Sequence, residues 1–248
     1  MKKLLLILIL FQTVYAKDLQ SLYLIQAKTK VDDKKIYKGM YQYIYSHDNK
    51  KLKQLLKKGL NLNNILPIKL AYTPLYYAVY RGNIDTVKLL LQYGADIDFI
   101  SPSNDEGKYA TTPISAAIAE NNISLTKFLL DNNASINISE PNFKQLVCNK
   151  KEVIMPPFFY ANTKDMIKLL ISKGGNIYQK NAYGETILDW YIGATKIKSW
   201  VMNKYKLPTT YFKCSSKINQ IVKVVHDNNG FKEYDVNGTM INEYNVIK

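Results

Sequence analysis

Arginine is almost absent from this chain of 248 residues. Arg81 is the only one, so lysine supplies nearly all of the positive charge behind a formal net charge of +14. Guanidinium groups are the preferred bidentate readers of phosphate and guanine, and their scarcity argues against a nucleic-acid partner. The chain is also rich in Lys, Asn, Ile and Tyr together, the residues that AT-rich codons supply, so codon usage accounts for the lysines without an anionic partner. Attraction to an acidic protein stays open.

Catalytic and metal-binding motifs are also missing. The sequence has no HExxH, no nucleophile elbow and no phosphate-binding glycine loop. Its two histidines, His47 and His226, are expected to be exposed polar residues, and neither a Cys-x-x-Cys nor a paired histidine is present to hold zinc. The carboxylates of Asp96 and Asp98 are expected to bond loop backbone. We therefore predict a protein that is not an enzyme and that has no metal site and no cofactor.

The N-terminus has the features of a secretory signal peptide. Lys2 and Lys3 precede an apolar run, Leu4–Phe11, and the small residue Ala16 stands where a signal peptidase would cut. The run is too short to span a bilayer, and Lys17 rather than cysteine would follow the cut, so we expect no stable membrane anchor. The alternative is a buried N-terminal helix or strand. We predict that residues 1–16 are removed and that the protein is exported, with a bacterial periplasm as its destination.

Only two cysteines occur, Cys148 and Cys214. An even number in an exported chain permits one disulfide, because compartments outside the cytoplasm are oxidising. The alternative is two unpaired thiols, and sequence spacing alone does not decide between them.

The most informative feature is a repeated segment. Residues 73–98 and 112–137 follow the same pattern 39 positions apart. Each begins with Thr-Pro, which caps a helix and places proline in its tolerant first turn, and continues through small residues to a break rich in Gly and Asn. A second run at helical spacing then ends at Gly94 or Asn133, residues that accept a left-handed backbone. The repeat unit is therefore helix, turn, helix, loop.

The pattern Thr-Pro-Leu-x-x-Ala followed by Gly-Ala-Asp resembles the ankyrin-repeat family. The resemblance is most specific over residues 73–98. Weaker units fit around Gly59 and Gly174, at offsets of 35 and 41 from their neighbours, and a last unit follows. The resemblance implies a mainly α solenoid of about five helix-turn-helix units over residues 37–206, after a lead-in at 17–36, with divergent units at both ends.

The alignment of the units also locates core residues and loops. Leu90, Leu129 and Leu169 are predicted to be equivalent buried residues. The offsets of 39 and 41 exceed the usual ankyrin period of about 33 residues, and the excess falls in residues 99–110 and 139–155. The resemblance implies that these loops form finger-like hairpins beside a concave binding face. The alternative is that they are tolerated surface insertions, because loop closure entropy grows only slowly with length.

Residues 207–248 differ in character from the array. Three β-branched and aromatic runs, 217–225, 231–236 and 239–247, are separated by Asn-Gly pairs. Asn-Gly is a strong signal for a tight hairpin, because both residues accept positive φ. We predict a small C-terminal antiparallel β-meander of three strands, which either caps the last unit or offers a second contact surface.

The resemblance implies a non-enzymatic protein–protein interaction module. In ankyrin proteins the loop before Thr-Pro, the last exposed residues of the first helix and the residue before the loop glycine commonly contact a partner protein. On the matching positions of this sequence, the resemblance places the partner-binding residues Lys69, Leu70, Tyr72, Tyr80, Arg81, Tyr93, Lys108, Tyr109, Thr111, Glu120, Asn132 and Tyr183. Tyr72, Tyr80, Arg81 and Tyr93 are the strongest candidates, because Tyr and Arg are enriched at binding hot spots.

Two other functions stay open. One is an immunity protein or inhibitor that neutralises a toxic effector, and the other is a hydrolase with its site in the insertions or the C-terminal region. A polar pocket in which a carboxylate and His226 converge would favour the hydrolase, whereas an open groove would favour protein binding.

We expect the mature protein to begin at Lys17. The apolar run after two lysines directs export, and cleavage follows Ala16. Mass spectrometry of protein purified from the periplasmic fraction should give this N-terminus, whereas an intact Met1 on cytoplasmic material would contradict export.

Overall fold

The computed structural model describes residues 31–63, 72–101, 109–138, 153–190, 195–215, 220–226 and 230–245. Within this part, pairs of helices precede a C-terminal β-sheet. The sequence-based predictions that lie outside it concern the signal peptide with Ala16 and Lys17, most of the lead-in at 17–36, and Lys69, Leu70, Lys108 and Cys148.

The helices form five successive units, each with an inner and an outer helix. The inner and outer helices are Val31–Tyr45 and Asn49–Leu56 in unit 1, Pro74–Tyr80 and Ile84–Gln92 in unit 2, Pro113–Ala119 and Ile123–Asp131 in unit 3, the 3₁₀ turn Pro157–Tyr160 and Lys164–Ser172 in unit 4, and Ile187–Trp190 and Thr195–Tyr205 in unit 5. Inner helices pack on inner helices and outer on outer, so the array has two layers. The first helix begins at Val31, inside the predicted lead-in.

Local capping explains where the helices begin. The hydroxyl of Thr73 accepts the N–H of Tyr76 at 3.2 Å, as the Thr-Pro motif predicts. At the equivalent position, the Thr112 hydroxyl bonds the hydroxyl of Ser115 at 3.1 Å instead. The outer helices of units 1 to 4 are each capped by a side-chain oxygen, from Asp48, Asn83, Asn122 and Thr163 respectively.

Left-handed backbone positions mark where the helices end. They recur after each of the first four outer helices, at Gly59, Gly94, Asn133 and Gly174, with the spacing predicted from the sequence. A second set, at His47, Gly82 and Asn121, precedes the outer-helix caps of units 1 to 3. Glycine and asparagine accept this conformation at low cost, so the positions where the helices end are determined by the local sequence.

A ladder of hydrogen bonds joins the units at their loops. Four residues after each left-handed position, a side-chain oxygen accepts a backbone N–H from the next unit. The three rungs are Asn63 with the N–H of Asp96 at 2.8 Å, Asp98 with the N–H of Ser135 at 2.8 Å, and Asn137 with the N–H of Asn176 at 2.7 Å. The Asp96 carboxylate accepts the N–H of Asp98 at 2.9 Å, so both carboxylates bond loop backbone as expected.

The core leucines keep a constant spacing from the left-handed positions. Leu90, Leu129 and Leu170 are each fully buried and stand four residues before Gly94, Asn133 and Gly174. The prediction that Leu169 would be the third equivalent was wrong by one residue, because Leu169 stands five before its glycine and is half-buried.

Unit 4 departs from the others in its inner helix. That helix is a single 3₁₀ turn, and its Phe158 is fully buried. A methyl group on Gly175 would lie 2.8 Å from the Ile136 side chain and 3.0 Å from the Phe158 ring. The Leu170 carbonyl would also lie 2.8 Å away, so these three groups fill the space that a methyl group needs and only glycine fits at this position.

The two lengthened loops are bonded to each other. Ser101 and Thr111 exchange two backbone hydrogen bonds of 2.8 Å across the first loop. Strand β1, Tyr109–Ala110, then pairs in parallel with β2, Val153–Ile154, at the end of the second loop. The loop bases are therefore rigidly joined beside the inner helices.

The C-terminal meander has four strands rather than the predicted three. Strands β3 (Thr210–Cys214), β4 (Ile221–His226), β5 (Gly230–Tyr234) and β6 (Met240–Asn245) are antiparallel in that order. The additional strand is β3, whose buried face includes a lysine, so its hydrophobic pattern is weak. The N–H of Cys214 donates to the carbonyl of Tyr183 at 2.7 Å, which joins this edge of the sheet to unit 5.

We expect Leu170→Ala to lower the free energy of unfolding by about 2–5 kcal/mol, because it leaves a cavity in a closed core. Leu169→Ala is the matched control and should cost clearly less, since Leu169 is half-buried. Urea unfolding followed by circular dichroism compares the two, and a larger cost for Leu169→Ala would contradict this register.

Candidate functional site

An exposed group of aromatic and cationic side chains lies at the ends of the first two inner helices. Tyr45 and Tyr80 are 59% and 50% exposed. The guanidinium carbon of Arg81 lies 4.5 Å from the centre of the Tyr45 ring, within the range of a cation–π contact. We call Tyr45, Tyr80 and Arg81 the Tyr–Arg edge. Two neighbouring units contribute to it, and both helix ends are fixed by the left-handed turns at His47 and Gly82.

The other two predicted hot-spot residues lie elsewhere. Tyr72 precedes the inner helix of unit 2, and its half-buried ring stacks on Tyr76 at 4.3 Å. Tyr93 ends the outer helix of the same unit and is half-buried. Inner and outer helices run in opposite directions, so Tyr93 is separated from the Tyr80 turn by the outer helix, a length of about 13 Å. The four residues therefore do not form one cluster.

The remaining described candidates differ in accessibility. Glu120 and Asn132 are exposed, although the Asn132 amide donates to the carbonyl of Phe128 at 2.8 Å within its own helix. Thr111 is buried by its bridge to the first lengthened loop, and Tyr183 is buried where the sheet meets unit 5. These two side chains do not reach solvent. The backbone of Tyr109 lies in β1, where it joins the loops.

A second polar group lies between unit 5 and the sheet. We call Asp189, Tyr211, Lys213, His226 and Glu233 the Asp189 cluster. All five residues are buried. The Lys213 ammonium lies 2.8 Å from one Asp189 oxygen and 3.4 Å from a Glu233 oxygen. The Tyr211 hydroxyl donates to the other Asp189 oxygen and lies 2.6 Å from Nε2 of His226.

Most polar atoms of the Asp189 cluster bond to one another or to neighbouring residues. Asp189 also accepts the N–H of Thr186 at 2.7 Å. The single proton of the Tyr211 hydroxyl goes to Asp189, so Nε2 of His226 carries a hydrogen and donates to the Tyr211 oxygen. The buried Nδ1 of His226 has no hydrogen-bond partner among the described residues. The Asp189 carboxylate and His226 do converge, but they lie inside the protein and both bond the Tyr211 hydroxyl.

Comparison with known proteins identifies the array. Residues 40–140 match the family model described as ankyrin repeats (3 copies), which covers units 1 to 3. The chain therefore contains ankyrin repeats. No curated protein matches it. Ankyrin repeats bind protein partners and are generally non-enzymatic interaction modules, and the mainly α solenoid with a C-terminal antiparallel meander is the fold expected from the sequence.

The charge state of the Asp189 cluster follows from burial and proximity. Burial alone would raise the pKa of Asp189, but His226 and the Lys213 ammonium outweigh it and hold that pKa well below its usual range. Burial would lower the pKa of Lys213, and Asp189 reverses this to a net rise. Burial lowers the pKa of His226, and Asp189 offsets only part of that effect, with Lys198 and Lys213 adding to it. At neutral pH the protein therefore buries a carboxylate–ammonium pair beside a neutral imidazole.

The expectation that His226 is exposed was wrong. His226 is 4% exposed and shares its strand face with Val222 and Val224, which are fully buried. The two-residue period of β4 carries this signal, because a strand that buries Val222 and Val224 also turns residue 226 inward. His47, in contrast, is exposed as expected.

The cysteine and metal predictions have different outcomes. Cys214 is disulfide-bonded, while Cys148, the other cysteine of the sequence, lies outside the described residues. Their pairing stays a prediction. Among the described residues, no group of three His, Cys, Asp or Glu side chains is placed to hold a metal ion. Nor is any helix of the described part long and apolar enough to cross a membrane.

We expect the melting temperature of the protein to fall as the pH drops below about 6.5, where a histidine of the unfolded chain gains a proton. Folding lowers the pKa of His226, so the unfolded state binds more protons in this range and acid favours unfolding. The lowered pKa of Asp189 adds a further loss as the pH falls below about 4. Thermal melts by circular dichroism between pH 7 and pH 5 should show the first slope in the natural protein and not in His226→Gln.

The matched control is His47→Asn, which removes the other histidine from an exposed turn. Its φ of 58° is left-handed, and asparagine accepts this conformation. The control should keep the slope below about pH 6.5. An unchanged slope in His226→Gln would show that His226 is not its source.

Proposed function

We propose that this protein is exported to the bacterial periplasm and binds a protein partner through the Tyr–Arg edge. The observation that carries the proposal is the contact between the Arg81 guanidinium and the Tyr45 ring, with Tyr45 and Tyr80 each about half exposed. Tyr and Arg are, together with Trp, enriched at binding hot spots, because they combine a large contact area with hydrogen bonding. A group of three such side chains on adjacent units fits the binding role of ankyrin repeats.

The Tyr–Arg edge is held in place before a partner arrives. Asp48 and Asn83 cap the outer helices directly after the turns that carry Tyr45 and Arg81. The hydroxyl of Thr86 donates to the side-chain oxygen of Asn49 at 2.7 Å, which joins units 1 and 2 near these turns. A surface that is already ordered loses little conformational entropy on binding, and this favours affinity.

The charge of Arg81 indicates the chemistry of the partner. The exposed Arg81 side chain has no carboxylate partner among the described residues, and its guanidinium lies beside the Tyr45 ring. A carboxylate is the group that accepts a guanidinium in bidentate geometry. The proposed partner therefore presents an acidic side chain next to an apolar one.

We expect Tyr80→Ala combined with Arg81→Ala to raise the dissociation constant for the partner at least tenfold, since each hot-spot truncation costs about 2 kcal/mol or more. The partner is first captured from periplasmic extract on the immobilised mature protein and identified by mass spectrometry. Its affinity for purified natural and variant proteins is then measured by titration calorimetry. Thermal unfolding should be nearly unchanged, because both substituted residues are exposed.

The matched control is Tyr178→Ala with Lys204→Ala, which removes an equally exposed tyrosine and a cation from the far end of the array. This control should keep the natural affinity. A second comparison, Phe212→Ser with Met240→Ser, changes exposed residues of the sheet. If only this pair weakens binding, the sheet is the contact surface and the Tyr–Arg edge is not. Deleting the sheet is unsuitable, because it would leave Asp189 buried without Lys213.

A further inference from the structure

A second group of aromatic and basic side chains lies on units 4 and 5, with Trp200 and Tyr205 half-buried and the others exposed. The ammonium groups of Lys164 and Lys204 lie 5.5 Å and 5.2 Å from the centre of the Trp200 ring. Tyr205 meets Trp200 edge-on at 5.6 Å, and the Tyr178 hydroxyl donates to the Tyr205 carbonyl at 2.7 Å. Tyr178 is 54% exposed. We call these five residues the Trp200 surface.

Exposed lysines outnumber exposed carboxylates on units 4 and 5. The described part of units 4 and 5, with the residue that follows Tyr205, has these exposed lysines: Lys164, Lys168, Lys173, Lys180, Lys196, Lys204 and Lys206. In the described part of these units, the only exposed carboxylate is that of Asp165. The carboxylate of Glu185 is half-buried. In the described part of units 2 and 3 the balance is reversed, with the basic residues Arg81, Lys88 and Lys127 against Asp85, Asp96, Asp98, Glu120 and Asp131. Unit 1 is also rich in exposed lysines, so what distinguishes units 4 and 5 is the position of two lysines beside the Trp200 ring.

We propose that the Trp200 surface binds reversibly to an anionic lipid bilayer. Trp and Tyr have an apolar body and a polar tip, and they settle at the level of the lipid headgroups. Lysine stems lie along apolar surface while the ammonium groups reach the phosphates. Lysine is a point charge without the fork geometry of arginine, so it suits a diffuse anionic surface better than the reading of individual bases.

The placement of the Trp200 surface also fits a bilayer. Trp200 lies on the outer helix of unit 5 and contacts Lys164 at the start of the outer helix of unit 4, so the surface belongs to the outer layer of the array. The Tyr–Arg edge lies at the ends of inner helices, in units 1 and 2. The two surfaces share no residue. In this proposal the protein lies on the bilayer surface and does not insert across it. This proposal does not depend on the one made for the Tyr–Arg edge.

The chain carries its own probe for this proposal. Trp190 and Trp200 are its only tryptophans, so Trp190→Phe leaves Trp200 as the single tryptophan, which is excited selectively at wavelengths where tyrosine does not absorb. We expect the emission of Trp200 to shift to the blue when this variant of the mature protein is mixed with phosphatidylcholine vesicles that contain phosphatidylglycerol. Pure phosphatidylcholine vesicles should give no shift, and high salt should reverse the shift by screening the lysines. Equal binding to both kinds of vesicle would overturn the proposal.

The lysines are tested by co-sedimentation with the anionic vesicles. Lys164→Gln, Lys196→Gln and Lys204→Gln together should lower the partition coefficient about a hundredfold, because each lysine near an anionic surface contributes roughly fivefold. The matched control, Lys53→Gln, Lys57→Gln and Lys58→Gln, removes the same charge from exposed positions in unit 1, where no tryptophan lies. It should leave partitioning within about threefold of the natural value, the residual long-range effect of net charge.

Two results would refute the site. An equal loss in both triple variants would show that net charge alone drives binding. A single-stranded oligonucleotide that displaces the vesicles and shifts Trp200 to the same extent would assign the surface to nucleic acid instead. The Tyr80→Ala and Arg81→Ala variant should bind vesicles like the natural protein, so failure of one proposal does not entail failure of the other.

Discussion

The hydrogen-bond ladder between loops sets the register of the whole array. Each rung joins a side-chain oxygen of one unit to a backbone N–H of the next, at 2.7–2.8 Å. The rungs lie two to four residues after the left-handed positions, so they fix the ends of the outer helices relative to one another. Between rungs, the chain is free to lengthen. This is why the loops after units 2 and 3 grow without disturbing the stacking of Leu90, Leu129 and Leu170.

An array built from nearest-neighbour contacts needs a different solution at its end. Unit 5 has no following unit, and the sheet covers it through Asp189, Lys213 and His226. A buried ion pair contributes little net stability, but it is costly to break, because either partner alone is an uncompensated buried charge. The Asp189 cluster therefore favours one docking position of the sheet over any other. This explains how a carboxylate and a histidine come together inside the protein.

Local signals were sufficient to predict the repeat from the sequence. Thr73 caps its helix and Gly94 ends the next one through contacts within a few residues, so composition and spacing reveal them. The features that were missed depend on distant residues. His226 is buried because unit 5 lies against its strand, and β3 forms although its inward face includes Lys213. The place of Tyr45 beside Tyr80 could have been predicted, since the offset of 35 that aligns Gly59 with Gly94 also aligns Tyr45 with Tyr80.

The distribution of charge gives the two proposed surfaces separate roles. Units 2 and 3 carry more acidic than basic residues, and the single arginine of the chain lies there beside tyrosines. Units 4 and 5 present lysines and Trp200 on their outer helices. Because inner helices pack on inner helices and outer on outer, a contact on one layer leaves the other accessible. A bilayer held at the Trp200 surface would thus keep the Tyr–Arg edge open to a protein, and an acidic partner would meet little repulsion from the lipid because unit 3 separates the two sites.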